Sequence, residues 1–132
     1  MRFRSMKVPV SVRTSYNKAD IRSLVDSGAT DNFVHPRFKR RMGLGTKELA
    51  TPKRLFNVDD MTNRAGMITH YIDLDIYTNG IHKEMRFLVS DIGKEDALLG
   101  YPWLATFEPK FSWRHGTIHT SYLPIIISST NP

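Results

Sequence analysis

Residues 24–30 read Leu24-Val25-Asp26-Ser27-Gly28-Ala29-Thr30, an apolar strand end that breaks into a turn carrying a carboxylate, a hydroxyl and a glycine. By itself an Asp-Ser-Gly sequence is a common turn, in which Asp and Ser bond their own backbone and Gly takes positive φ. Its surroundings decide its meaning. Ala19 to Asp26 reads as the strand that delivers the turn, and Ser15-Tyr16-Asn17-Lys18 supplies the turn before that strand. Earlier still, Met6, Val8, Val10 and Val12 alternate with Lys7, Pro9 and Ser11. That is the period of a half-buried strand, with Pro9 marking an edge position.

Downstream, Arg37-Phe38-Lys39-Arg40-Arg41 has the form of a short helix, with Pro36 at its first position and Gly43 at its end. The clearest hairpin lies further on. Ile68, His70, Ile72, Leu74 and Ile76 share one face, Thr69, Tyr71, Asp73, Asp75 and Tyr77 the other, and Asn79-Gly80 ends the strand. Asn-Gly favours a two-residue hairpin because both turn positions need positive φ, so Thr78 should pair with Ile81, Ile76 with Lys83, Leu74 with Met85 and Ile72 with Phe87. Asp73 and Asp75 then lie on a solvated face, and Asp20 is read as a surface residue.

After the polar loop Asp91 to Asp96 comes the apolar run Ala97-Leu98-Leu99-Gly100, then a short helix from Pro102 to about Phe107. A last hairpin joins Phe111–Trp113 to Thr117–His119 around His115-Gly116. Short strands with tight turns and little helix predict an all-β domain, closed or strongly curved. Trp103 and Trp113 are read as core residues.

The 132 residues, 40% hydrophobic with seven Phe, five Tyr and two Trp, suffice for one packed core. Cysteine is absent, which removes disulfides, thiolate metal sites and a cysteine nucleophile. Met1 to Val12 is basic without a continuous apolar stretch, and no apolar run reaches the length that crosses a bilayer. The expectation is a cytoplasmic protein without membrane contact. A net charge of +6 raises the question of nucleic acid, but no recognition motif accompanies it and the Arg37–Arg41 cluster reads as a solvated helix face. His115 and His119 have the spacing of zinc ligands on a helix, but Gly116-Thr117-Ile118 between them favours a β-turn and strand, so no metal is expected.

Taken together, the motifs resemble the protease domain of gypsy-type long-terminal-repeat retrotransposon polyproteins, relatives of the retroviral aspartic proteases. The resemblance is carried by Val25-Asp26-Ser27-Gly28-Ala29-Thr30 with Asn32-Phe33-Val34, by Asn57-Val58-Asp59 ahead of Gly66, and by Leu98-Leu99-Gly100-Tyr101-Pro102-Trp103-Leu104 continuing to Pro109 and Trp113. It implies a retropepsin-like acid protease barrel with a flap hairpin and one short helix, functional as a symmetric dimer, with no cofactor. Residues 1–119 would form that domain and 120–132 a C-terminal tail or linker. The Ile125-Ile126-Ile127 stretch suits either pairing across the two-fold axis or the start of a linker. By the same resemblance the chain would sit in the cytoplasm or within retrotransposon particles.

The resemblance assigns Asp26 as the catalytic carboxylate, Ser27 as the hydroxyl bonding across the dimer axis, and Gly28 and Ala29 as room for the substrate backbone. Ala29, Thr30 and Asp31 would line the floor of a peptide cleft. Val58 and Asp59 would line the flap, which spans Leu55 to Ile68, and Leu98, Leu99 and Gly100 would support the catalytic loop from behind. Chemistry adds its own reason for a dimer. Aspartic proteases need two carboxylates sharing a proton, and this chain offers a single Asp in such a turn, so its partner comes from two-fold symmetry. The sequence departs from retroviral members at Thr30 and Tyr101, where they carry an acidic residue and an arginine that pair. It departs from many relatives at Asp60, where they carry glycine. A catalytically inactive, domesticated dimerisation or peptide-binding module is the alternative function.

Overall fold

In the computed structural model the described residues are 6–54, 67–78, 80–112, 117–119, 124–126 and 128–129. The first hairpin joins β1 (Met6–Arg13) to β2 (Lys18–Val25) in antiparallel register from Met6↔Val25 to Arg13↔Lys18. Its turn is held by Thr14 Oγ1, which accepts from the Asn17 N–H at 2.9 Å. Met6, Val8, Val10 and Val12 are all buried, as the alternation requires. Pro9 is not on a free edge. It falls in the gap between two further partners of β1, which meet it at Met6–Lys7 and at Ser11–Arg13, so the missing N–H interrupts neither pairing.

The chain continues through β3 (Asn32–Val34), α1 (Pro36–Met42), β4 (Lys47–Arg54), β5 (Met67–Thr78), β6 (Ile81–Val89), β7 (Ala97–Leu99) and α2 (Tyr101–Phe107). Short strands follow at β8 (Lys110–Ser112), β9 (Thr117–His119), β10 (Pro124–Ile126) and β11 (Ser128–Ser129). The strands β1, β2, β7, β3, β6 and β5 form a closed circuit, because β5 returns to pair with β1 through Ser11↔Tyr77, Val12↔Ile76 and Arg13↔Asp75. Closure leaves no free sheet edge within that circuit. β4 extends from β5 outside the circuit, β11 pairs with the start of β1, and β8, β9 and β10 form a separate three-stranded sheet.

The β5–β6 hairpin has the register expected from its sequence: Thr78↔Ile81, Ile76↔Lys83, Leu74↔Met85 and Ile72↔Phe87. Gly80 takes φ 84°, the left-handed geometry such a turn needs. Several strands have no forecast in the sequence pattern, β3 and β4 among them. β3 is only three residues long, and β4 is largely exposed, with a register shift against β5 between Glu48 and Lys53. The second hairpin also differs slightly, since its first strand is Lys110–Ser112; Trp113 and the His115-Gly116 turn lie outside the described residues.

Both short helices read from the sequence are present, one more than the single helix that the family resemblance implies. In α1, His35 Nδ1 accepts from the Arg37 N–H at 2.9 Å, Pro36 occupies the first turn, and Gly43 closes the helix at φ 67°. Its Phe38 and Met42 are buried, while Arg37 and Arg41 reach Asp96 at 3.4 Å and 2.9 Å. In α2, Trp103 and Phe107 are buried with ring centroids 5.4 Å apart. No helix among the described residues is long and apolar enough to cross a membrane.

The main core gathers Val8, Val25, Phe38, Ile76, Phe87, Leu99 and Trp103, and a second cluster gathers Ala29, Phe33, Ile68, Leu88, Ile92 and Leu98. Each fully buried large side chain contributes about 1.5–3 kcal/mol by transfer from water. Phe87→Ala is expected to lower unfolding stability in urea by about 3–5 kcal/mol. Its exposed neighbour Arg86→Ala should cost no more than about 1–2 kcal/mol, since it loses a surface pair with Asp73 and a cation–π contact over the Tyr71 ring. A one-residue slip of β6 would reverse that order.

Candidate active site

The Asp26 loop is built by strands on both sides of it. β2 ends at Val25, and β3 begins at Asn32. β7 lies between them, parallel to β2 through Leu24↔Leu98 and Val25↔Leu99, and antiparallel to β3 through Phe33↔Leu98 and Val34↔Ala97. A central strand covered on both faces must be apolar throughout, and Leu98 and Leu99 are both wholly buried, one in each hydrophobic cluster.

β7 grips the loop directly. The Asp26 N–H donates to the Leu99 carbonyl at 3.0 Å, and the Tyr101 N–H donates to the Ala29 carbonyl at 2.9 Å. Inside the loop the Ala29 N–H donates to the Asp26 carbonyl at 3.1 Å, and the Gly28 N–H donates to Asp26 Oδ1 at 2.9 Å. The last contact is the local Asx-turn bond of any Asp-x-Gly turn. The setting sets this turn apart, because the carboxylate is half-buried while Ser27, Gly28 and Thr30 are exposed beside it. Ala29, in contrast, is wholly buried in the second cluster, so its side chain anchors the loop.

Gly100 has a steric role. A Cβ built there would stand 2.8 Å from the Ala29 carbonyl oxygen and closer still to that of Asp31. The loop therefore lies against the backbone of Gly100 with no space for a side chain. Gly100 also donates its N–H to Asn32 Oδ1 at 2.9 Å, and Asn32 Nδ2 donates to the Arg86 carbonyl at 3.4 Å. Asn32 is 1% exposed, and its amide ties the end of the loop, the β7–α2 corner and β6 together.

The structure thus brings Asp26, Ser27, Gly28, Ala29, Thr30 and Asp31 into one loop, with Leu98, Leu99 and Gly100 behind it. Val58 and Asp59 lie outside the described residues, as does the flap tip from Asn57 to Gly66. The hairpin leading to that segment is present as β4 and β5, paired up to Lys53↔Ile68 and Arg54↔Met67. Two residues at the site escape sequence reasoning. Asn32 had a signal, a polar residue opening a fully buried strand. Lys53, whose Nζ lies 3.3 Å from Asp31 Oδ1, had none, because the β4 register shift cannot be read from residue types. Among the described residues no three His, Cys, Asp or Glu side chains gather in a way that could hold a metal ion.

A closed barrel with an Asp-Ser-Gly loop backed by a buried Leu-Leu-Gly strand is the retropepsin-like arrangement, and comparison with known proteins agrees. Residues 22–123 match the family model described as the PEG10/RTL1 protease domain, and the chain belongs to that family, whose retropepsin-like domain derives from gypsy retrotransposons. The retroviral protease-like domain of Ddi1 from Leishmania major superposes with a TM-score of 0.69 at 18% identity, over 96% of each chain. The EIAV protease complexed with the inhibitor HBY-793 superposes with a TM-score of 0.53 at 20% identity, over 80% of this chain and 90% of that one. At such identities the likeness establishes the fold.

The glycine at 100 is expected to be irreplaceable. Gly100→Ala should destabilise the protein by about 1–3 kcal/mol through overpacking against the two carbonyls. Gly45→Ala, where nothing lies within 4 Å, should stay within about 0.5 kcal/mol of the parent in the same denaturation experiment.

Proposed function

We propose that this chain is an aspartic endopeptidase, active as a homodimer in which the Asp26 carboxylates of two copies form the catalytic dyad. The observation that carries the reading is the Asp26 loop itself. A half-buried carboxylate is held at the end of a buried strand by backbone bonds on both sides, with an exposed hydroxyl and an exposed glycine next to it. A single chain supplies one such loop, and the chemistry needs two.

In the dimer one Asp26 is ionised and the other protonated, since two carboxylates in contact do not both ionise readily. The ionised partner takes a proton from a bound water as its oxygen attacks the peptide carbonyl carbon. The protonated partner donates its proton to the carbonyl oxygen, giving a neutral tetrahedral diol. Transfer of a proton to the amide nitrogen then lets the C–N bond break, releasing a carboxylic acid and an amine. Ser27 bonds across the axis and holds the two loops in register, while Gly28 leaves the floor open to an extended peptide backbone. In this reading the β4–β5 hairpin carries the flap over that peptide, and Val58 and Asp59 contact it.

Tyr101 supports the dimer. It is 63% exposed although its backbone is bonded to the catalytic loop, a large aromatic surface beside a site that a second copy must complete. It stands where retroviral relatives carry a charged pair, so apolar contact replaces an ion pair there. The substrate is a polyprotein that contains the domain, processed in the cytoplasm or within a retrotransposon particle.

The test is cleavage of a broad peptide library between roughly pH 4 and 7. Activity should lie on the acid side, falling at higher pH as both carboxylates ionise, and Asp26→Asn should lower kcat/KM by about 10²–10⁴-fold or more. Tyr101→Ala should leave activity at high protein concentration nearly unchanged and shift its loss on dilution to higher concentration. No cleavage by a protein shown to be folded and dimeric would instead establish the domesticated, peptide-binding module.

A further inference from the structure

Asp31, at the outer end of the catalytic loop, does not face the cleft alone. Its Oδ1 lies 3.3 Å from Lys53 Nζ, and its Oδ2 accepts from Thr30 Oγ1 at 3.2 Å. Both carboxylate oxygens are therefore engaged. The ammonium group is not exhausted, because it has three N–H donors and gives one to Asp31. The exposures agree: the Lys53 side chain is 51% exposed and that of Asp31 28%. Lys53 belongs to β4, the strand that leads into the flap segment, whereas Asp31 has its carbonyl pressed against Gly100 on the rigid floor. The pair thus spans from floor to hairpin and fixes a cation at the edge of the cleft.

We infer that Lys53, anchored by Asp31, is a specificity-determining residue that selects peptides with an acidic side chain, Glu or Asp, at the subsite beneath the β4–β5 hairpin. The inference rests on the peptide-binding reading of the cleft. An incoming carboxylate takes the free donors of Lys53 and leaves the Asp31 bond in place. An incoming lysine or arginine meets Lys53, the more exposed member of the pair, as a like charge, and the lone pairs left on Asp31 are less accessible to it and already share the Lys53 charge. Two-fold symmetry repeats the pair in the second protomer, so the preference appears at two positions, one on each side of the scissile bond. Because half of the Lys53 side chain is in solvent, the selectivity is sensitive to salt.

The experiment measures peptide binding apart from turnover. The 132-residue chain carrying Asp26→Asn is titrated at low ionic strength with synthetic octapeptides that place Glu, Gln or Lys at each position in turn. Glu should bind about tenfold more tightly than Lys at two positions, and the ratio should shrink in high salt. Adding Lys53→Met should abolish the ratio, and Lys53→Glu should reverse it, with circular dichroism confirming that each variant is folded. A ratio that survives Lys53→Glu overturns the inference, as does a preference for Lys in the protein that retains Lys53, or no binding by any peptide to the folded dimer. Cleavage by the unsubstituted chain is scored separately. Cleavage without charge preference sinks this inference and leaves the proteolytic function standing, whereas Lys53-dependent binding without cleavage does the opposite.

Discussion

The insertion of β7 between β2 and β3 is the constraint on which the rest of the molecule depends. Three residues, Ala97 to Leu99, pair in parallel with the strand entering the Asp26 loop and in antiparallel with the strand leaving it. The loop therefore cannot relax into an ordinary surface turn, because both of its ends and two of its backbone groups are bonded to this one segment or to the residue pair that follows it. The same insertion explains why residues 98 and 99 are both leucine and why residue 100 has no side chain. Leu98 and Leu99 face two different hydrophobic clusters, and the next residue must admit the carbonyls of Ala29 and Asp31. Asn32 completes the lock, since a buried backbone N–H at Gly100 without a partner would cost about 1–3 kcal/mol.

The Asp26 loop rests on the barrel, and the β4–β5 hairpin beside it is of different character. The floor is made of strands from the closed barrel and a glycine corner, which hold the Asp26 loop by backbone bonds on both sides. In that hairpin β4 lies outside the barrel circuit and pairs with β5 through a register shift. Lys53 and Asp31 add an ion pair between the two parts in a partly solvated position, weak by itself, beside the packing of Ile68 in the same cluster as Ala29 and Phe33. In the proposed function one chain supplies one of the two carboxylates, and Ser27, Thr30 and Tyr101 are exposed beside it or next to its supporting strand.

Much of this was legible in the residues. The Asp26 turn, the alternation in β1 and the β5–β6 register are short-range signals, in which period and turn chemistry agree and a slip would expose the core. The Leu98-Leu99-Gly100 motif was legible through its resemblance to a known family, whereas the reason for its glycine became visible only with the two carbonyls beside it. β3 is too short to show a period, and β4 shows mostly exposed residues with Pro52 among them, so neither resembles a strand in sequence. Barrel closure through Ser11↔Tyr77 and Val12↔Ile76 joins residues far apart in the chain, and the Lys53–Asp31 pair depends on an irregular register that no residue type announces.

The central claim is that one active site is shared between two copies, each giving one Asp26. Mixing settles it most directly: unsubstituted chain and Asp26→Asn chain are combined in increasing proportion at fixed total concentration, allowed to exchange subunits, and assayed on one peptide. If only dimers with both carboxylates cleave, activity follows the square of the unsubstituted fraction, and an equal mixture retains roughly one quarter. A linear decline, with roughly half retained in the equal mixture, would mean that each chain acts alone and would contradict the shared dyad.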